Sequence, residues 1–100
     1  MEIRTTEQFD KWFRKLRDRK AKAKINARLR QCEISGSITG DHHGIGGGIS
    51  EMRFHFGPGY RIYYTIDNEV IVILLIGSGK DNQSRAITEA RKLLTLYRGE

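Results

Sequence analysis

The stretch that decides the fold is residues 50–67, SEMRFHFGPGYRIYYTID. Apolar side chains alternate with polar ones on both sides of a central Gly57-Pro58-Gly59, which is the pattern of two strands with one face in the core. The side chains expected in the core are Met52, Phe54 and Phe56 in the first strand, and Tyr60, Ile62, Tyr64 and Ile66 in the second. Proline and glycine favour a tight turn between them, so the stretch predicts an antiparallel hairpin.

The opposite face of this hairpin carries the chemistry that the sequence offers. It is expected to be uncovered and to present Arg53, His55, Arg61 and Tyr63, with Lys80 at the end of the neighbouring strand. The planar guanidinium fork can hold two phosphate oxygens at once, which suits a transition state that gains negative charge. These five residues are therefore the candidate catalytic group, although ordinary solvent-facing strand residues would give the same pattern.

The elements before the hairpin are expected to be one strand and two helices. Residues 2–4 predict a short strand, and Thr5 with Gln8 fits a capping box that begins the first helix. Two apolar stripes with helical spacing follow, and they consist of Phe9, Trp12, Phe13 and Leu16, then Ala21, Ile25, Leu29 and Cys32. Residues 36–48 contain six glycines and are interpreted as a break without regular structure.

After the hairpin, Asp67-Asn68-Glu69 predicts a turn, and residues 70–76, apolar on both faces, predict a central strand. An amphipathic helix with Ile87, Ala90, Leu94 and Tyr97 on one face ends the sequence. The fold class is therefore α+β, with a small sheet dominated by antiparallel strands, two N-terminal helices and a C-terminal helix. One hundred residues are expected to form a single domain, 1–100.

The positive charge is concentrated in one segment. Residues 11–30 contain ten basic residues and one acid, so this segment has a net charge of +9. The rest of the chain has a net charge of −3, which gives the formal total of +6. Ordinary surfaces intersperse both signs, so the segment predicts a polyanion-binding surface. An acidic protein partner remains an alternative. The basic residues expected to contact RNA are Lys11, Arg14, Lys15, Arg19, Lys20, Lys22, Lys24 and Arg28.

Other site types are not favoured. Asp41-His42-His43 lies in a glycine-rich loop without the spacing that brings metal ligands together, so no metal is expected. Gly77-Ser78-Gly79-Lys80 lacks the upstream glycine and following Ser/Thr of a phosphate-binding P-loop, and no cofactor is expected. Cys32 is the only cysteine and lies on an apolar stripe. No signal peptide or membrane span is visible, so we expect a cytoplasmic protein without a membrane partner.

Four phrases, FDKWFRKLRDRKAKAKINARLRQ, GISEMRFHFGPGYRIYYT, VIVILLIGSGKDNQ and ITEA, together resemble the RelE/ParE superfamily of type II toxins. The similarity is to its HigB-like, phage-derived branch of addiction module killer proteins. This resemblance implies a RelE-like fold, a cognate antitoxin, and metal-independent endoribonuclease activity on A-site mRNA in the ribosome. It also implies that Arg61 is the transition-state arginine, Arg53 a substrate-phosphate contact and Lys80 a further basic contact. Gln83 and Arg85, at the start of the last helix, are expected to contact RNA.

The chain departs from the pattern of related toxins at several positions. Those toxins often carry lysine at His43 and aspartate at Gly79 and Ala86, and RelE places arginine and tyrosine at Asp81 and Ile87. The proton-transfer residues are therefore unassigned, with His55 the best candidate because its ordinary pKa is near 6.5, followed by Tyr63 and Lys80. Two alternatives remain open, a ParE-like gyrase-poisoning toxin and a non-catalytic nucleic-acid-binding module.

Overall fold

A five-stranded sheet organises the protein. The computed structural model describes residues 1–68 and 71–99, with the backbone alone for residues 71–74. The elements in chain order are β1 (Glu2–Thr5), α1 (Glu7–Lys15), α2 (Arg19–Ser35), β2 (His42–Gly46), β3 (Ile49–Arg53), β4 (Arg61–Asp67), β5 (Ile71–Ser78), a 3-10 turn (Lys80–Asn82) and α3 (Gln83–Arg98). The strands lie in the order β1-β5-β4-β3-β2. Only β1 pairs in parallel, with β5, so the predicted α+β class with a mainly antiparallel sheet is confirmed.

The predicted antiparallel hairpin forms from β3 and β4, with Met52 opposite Ile62 and Arg53 opposite Arg61. Gly57 and Gly59 have φ of 55° and 77°, so the turn needs residues without a Cβ at both positions. The predicted strand at 70–76 is observed as β5, although Val70 lies outside the described residues, as does Glu69 of the predicted turn. The antiparallel strands of the prediction are therefore confirmed.

The glycine-rich segment was interpreted wrongly. Its residues His42 to Gly46 form β2, in which His43 pairs with Glu51 across the sheet. Strand pairing supplies hydrogen bonds to the backbone whatever the side chains are, so the edge of β3 overrides the low strand propensity of glycine. The glycines at 46, 47 and 48 have positive φ and make the turn into β3.

The cap of α1 is one residue later than predicted. Thr6, not Thr5, precedes the helix, and its hydroxyl accepts a hydrogen bond from Phe9 N at 3.0 Å while donating to Leu75 O at 2.6 Å. Thr5 instead pairs with Leu74 in the sheet. The parallel pairing of β1 with β5 therefore extends the strand by one residue and delays the helix.

The sheet is packed on both faces, which the sequence did not reveal. Helices α1 and α2 cover one face, where the buried cluster contains Phe9, Ala21, Ile25, Met52, Phe54, Tyr60, Ile62 and Tyr64. Helix α3 covers the other, where the cluster contains Ile49, Tyr63, Leu75, Ala86, Ala90, Leu93 and Leu94. The expectation of an uncovered hairpin face is therefore wrong.

Two apolar residues expected in the core are partly exposed. Ile66 is 45% exposed because it lies beyond Tyr64, the last member of its cluster on β4. Tyr97 is 44% exposed and donates from its hydroxyl to Asp67 Oδ2 at 3.0 Å. Within residues 1–68 and 71–99, none of the helices combines the length and the apolar character needed to cross a bilayer.

Candidate functional site

The candidate site lies where the β3–β4 hairpin meets the end of β5. Arg53 and Arg61 are direct partners across the two strands, so their side chains leave the same face of the sheet. The 3-10 turn after β5 brings Lys80 alongside, because its Cβ lies 3.7 Å from the position that a Cβ would occupy at Gly59. The structure therefore brings together three of the predicted basic residues at the open end of the sheet.

A buried carboxylate stands at the centre of this group. Glu51 is 1% exposed, and its Oε1 accepts a hydrogen bond from Arg53 Nε at 2.8 Å. Its Oε2 accepts one from Gln83 Nε2 at 2.9 Å and lies 3.9 Å from Arg61 Nε. His43 Nε2 lies 3.6 Å from Oε1. Sequence reasoning missed this role, although Glu51 shares a strand face with Arg53, which was the available signal.

The electrostatics of Glu51 depend on these partners. Burial by itself raises the pKa of this carboxyl, but the hydrogen bonds from Arg53 and Gln83, the nearby Tyr63 hydroxyl and the charge of Arg53 together hold the pKa below its ordinary value. The hydrogen bond to Glu51 in turn raises the pKa of Arg53. Glu51 is therefore ionised at neutral pH, and the pair stays charged.

Arg61 is the more enclosed of the two arginines. Its side chain is 13% exposed, against 36% for Arg53. Its Nη1 donates to the carbonyl of Gly59 at 2.7 Å, whereas its Nε is buried without a hydrogen-bond partner among the residues that the structure describes, 3.9 Å from Glu51 Oε2. A fixed guanidinium with one partly open edge is suited to binding an anionic oxygen.

Of the predicted proton-transfer residues, His55 is exposed and Tyr63 is buried. His55 Nε2 donates to Asp41 Oδ2 at 2.7 Å, and this hydrogen bond lowers the pKa of the Asp41 carboxyl. The histidine is 70% exposed and lies two residues beyond Arg53. Tyr63 is fully buried under α3, and burial raises its pKa to about 12. The expectation that Tyr63 faces solvent was wrong, because α3 covers its side of β4.

The basic segment contains two kinds of residue. The side chains exposed as predicted are Lys11, Arg14, Lys15, Arg19, Lys20 and Lys24, and Lys22 is partly buried over the Phe13 ring. Lys24 Nζ lies 4.6 Å from the centre of the Phe56 ring, so this surface reaches the hairpin. These placements agree with a continuous basic surface on α1 and α2.

Arg28 differs from the other predicted RNA contacts in its surroundings, and its contact with RNA stays a prediction. Its guanidinium donates to the carbonyls of Thr39 and Asp41, each at 2.7 Å, and to that of Arg53. It also lies 4.6 Å from the centre of the Phe54 ring. All three of its nitrogens are therefore used to bind α2 to the chain around β2 and β3, and Arg28 is a structural residue.

Of the two RNA contacts predicted on α3, Gln83 is bonded within the protein and Arg85 is exposed. The Gln83 side-chain amide donates a hydrogen bond to Glu51, so Gln83 belongs to the buried network around that carboxylate. Arg85 is exposed and lines a cleft of about 360 Å³ with Trp12, Ser78 and Glu89. Gly77 allows this packing, since any Cβ there would overlap the Trp12 ring.

The sequence model of the ParE toxin family of type II toxin-antitoxin systems, parDE, matches residues 3–83. The chain belongs to this family. An uncharacterized protein from Haemophilus influenzae is 42% identical over 93 residues, which is 93% of this chain and 92% of the relative. These matches confirm the predicted membership of the RelE/ParE superfamily of toxins, while the HigB-like branch stays a prediction.

Solved structures of E. coli RelE share the fold. The free toxin, in a variant with two arginines replaced by alanine, has a TM-score of 0.69 at 24% identity, covering 91% of this chain and 94% of that chain. The toxin-antitoxin complex RelBE gives 0.62 at 20% identity, covering 78% and 94%. Identities this low establish the common fold and nothing about the reaction.

Proposed function

We propose that this toxin is a ribosome-dependent endoribonuclease that cleaves mRNA without a metal ion. The observation that carries the proposal is the arrangement of Arg53 and Arg61 around the buried Glu51, with Lys80 beside the same turn. Two held guanidiniums and a lysine at one end of a sheet form a site for a phosphate group.

The reaction is attack of a ribose 2′-hydroxyl on the adjacent phosphorus, which expels the 5′-oxygen of the next nucleotide and leaves a cyclic phosphate. Arg61 holds the non-bridging oxygens as negative charge develops, and Arg53 contacts the phosphate. We assign proton transfer to His55, whose ring is hydrogen-bonded to Asp41, with Lys80 as the alternative. Since the attack must be in line, the ribosome contributes by holding the A-site message in a splayed conformation.

A second function, poisoning of DNA gyrase, is favoured by the family match itself, because the matching model is that of ParE toxins. Such a toxin needs this fold to grip a protein and needs no phosphate chemistry at Arg61. The two functions therefore make opposite predictions for the arginine.

The test is to sequence RNA ends in a translating extract with wild type, Arg61→Ala and Arg61→Lys. We expect cleavage within ribosome-bound message for wild type and a loss of roughly 100- to 1000-fold for Arg61→Ala, the usual effect of removing one preorganised charge contact. Arg61→Lys should also fail, because a single mobile ammonium cannot replace the fork. The control is Lys92→Gln, which removes an exposed positive charge from α3 outside the basic segment 11–30 and should cleave normally.

Thermal melts of the same proteins show whether each variant is folded. Cleavage by folded Arg61→Ala within threefold of wild type contradicts the proposed role of Arg61. Accumulation of gyrase-cleaved DNA, with no new RNA ends, supports the second function instead. Expression without any growth arrest points to the third alternative, a non-catalytic nucleic-acid-binding module.

The proposal includes a cognate antitoxin, because the chain belongs to a toxin-antitoxin family and the solved RelBE neighbour is a toxin-antitoxin complex. The basic surface of α1 and α2 favours an acidic or amphipathic segment of that partner. Co-expression of the neighbouring open reading frame should restore growth of the host cells. Its protein product should bind the toxin in the cytoplasm and co-purify with it. Failure of either result argues against that reading frame as the antitoxin.

A further inference from the structure

Glu51 is a buried carboxylate on a face of the sheet that is otherwise packed by apolar side chains. The face of β3 under α3 is otherwise closed by apolar side chains such as Ile49 and Leu93. Removing a carboxylate from water is costly unless close partners compensate it, and a well-packed apolar residue often stabilises such a position equally well. The charge is therefore to be explained by what its partners do.

Those partners come from four elements. His43 lies on β2, Arg53 on the same strand as Glu51, Arg61 on β4 and Gln83 at the start of α3. Each oxygen of the carboxylate serves two of them, Oε1 on the side of β2 and Oε2 on the side of β4 and α3. One buried group thus relates the positions of both arginines.

The carboxylate contacts the arginines at their inner nitrogens. It accepts from Arg53 Nε and lies near Arg61 Nε. Among the described residues, Arg53 Nη1 and Arg61 Nη2 make no hydrogen bond, so one terminal nitrogen of each guanidinium is available to a ligand. The hydrogen bond at Nε restricts the plane of the Arg53 guanidinium and leaves its outer edge to bind phosphate. Within the described part of the chain, Arg61 Nε is buried without a hydrogen-bond partner, so Glu51 acts on Arg61 through their opposite charges at 3.9 Å, while Gly59 O holds its Nη1.

We propose that Glu51 is a positioning residue that sets the orientation in which Arg53 and Arg61 receive the substrate phosphate. It does not touch the substrate. The inference rests on the proposed ribonuclease function for its catalytic consequence, whereas the orientation of the arginines can be measured without any substrate.

The first measurement is solution NMR of the arginine Nε–H groups in wild type and Glu51→Gln. Glutamine keeps the size of the side chain and removes the charge. The Nε–H of Arg53 and Arg61 should shift, and that of Arg53 should exchange with solvent about tenfold faster, because a charge-assisted hydrogen bond becomes a neutral one. Arg28, whose Nε donates to Thr39 O and which does not contact Glu51, is the internal reference and should not change.

The second measurement is single-turnover cleavage of ribosome-bound message in a double-mutant cycle. Glu51→Gln should lower the rate about 100-fold, as expected for misplaced catalytic groups, with little change in the concentration of half-saturation. In a background that lacks both arginines, Arg53→Ala with Arg61→Ala, Glu51→Gln should have less than a threefold further effect, because its action passes through these two side chains. Glu33→Gln, which removes an equal charge from the exposed surface of α2, should cleave like wild type.

The outcomes separate a positioning role from a structural one. If Arg28 changes together with Arg53 and Arg61, Glu51 merely supports the fold, and the proposal is overturned. Unchanged signals of Arg53 and Arg61, or fully multiplicative rate effects, overturn it as well. If wild type cleaves no RNA while the NMR shifts appear as expected, the ribonuclease function fails and the orienting role of Glu51 stands.

Should Glu51→Gln not fold, Glu51→Asp applies the same test with the charge retained. Its carboxylate is shorter by one methylene and cannot reach both arginines as before. The Nε–H signal of Arg61 should then move, and cleavage should fall by about tenfold or more. Wild-type signals together with a wild-type rate in this variant contradict the proposal.

Discussion

Replacing Arg28 with methionine should destabilise the protein strongly, although Arg28 lies among residues that otherwise form a surface. Its guanidinium makes three hydrogen bonds to carbonyls, of which those to Thr39 O and Arg53 O are partly buried. A hydrogen bond with one charged partner contributes about 1.5 to 3 kcal/mol. Taking the lower figure for each of the two partly buried bonds gives about 3 kcal/mol, because water reaches the guanidinium in part.

For a domain of this size, about 3 kcal/mol corresponds to a fall in Tm of roughly 12 to 24 °C. The assay is thermal unfolding followed by circular dichroism, with Arg30→Met as the matched control on the same helix. Arg30 is exposed, so its replacement should change stability by less than about 0.5 kcal/mol. An Arg28→Met melting temperature within about 4 °C of that control would refute the structural role and return Arg28 to the RNA-binding surface.

Two further predictions concern the site and the basic surface. Tyr63→Phe should cleave within threefold of wild type and leave the pH profile unchanged, because a buried phenol whose pKa is about 12 keeps its proton throughout the assay range; a rate loss of tenfold or more in the folded variant would return Tyr63 to the site. Replacing four exposed basic residues of α1 and α2 with glutamine should weaken ribosome binding. The slope of log affinity against log salt concentration should become shallower by roughly 0.7 to 0.9 for each phosphate contact that is lost. An unchanged slope would mean that this surface is simply solvated. The four residues are Lys11, Lys15, Arg19 and Lys20.

The strands and helices with strong periodicity were predictable from the sequence. The antiparallel hairpin around Gly57-Pro58-Gly59 was predicted correctly, since alternation and turn chemistry agree there. The strand β2 was not predictable, because His42 to Gly46 has no apolar alternation and becomes a strand only by pairing with β3. Local patterns carry no information about which edge a weak segment will join.

The basic residues of the candidate site were predictable from the sequence, but the buried carboxylate of Glu51 between them was not. Alternation placed Arg53 and Arg61 on one face, and strand order brought Lys80 near them. The same alternation placed Tyr63 in solvent, because it does not show that α3 returns over that face. Glu51 appeared as one more polar strand residue, since its burial and its contact with Gln83 depend on a helix that begins 32 residues later.

The buried carboxylate also bears on which of the two toxin activities the chain performs. A surface that binds gyrase needs exposed, complementary side chains, and a buried carboxylate that orients Arg61 on the same face of the sheet adds nothing to it. A phosphate site has the opposite requirement, because a transition state is stabilised only by charges held in place before the reaction begins. Glu51 supplies that restraint while reducing the local positive charge, which weakens general attraction for anions. A catalytic site is expected to hold its arginines in a fixed orientation even at the cost of a weaker attraction for anions. The arrangement around Glu51 therefore favours the ribonuclease over the gyrase poison, within a fold that serves both.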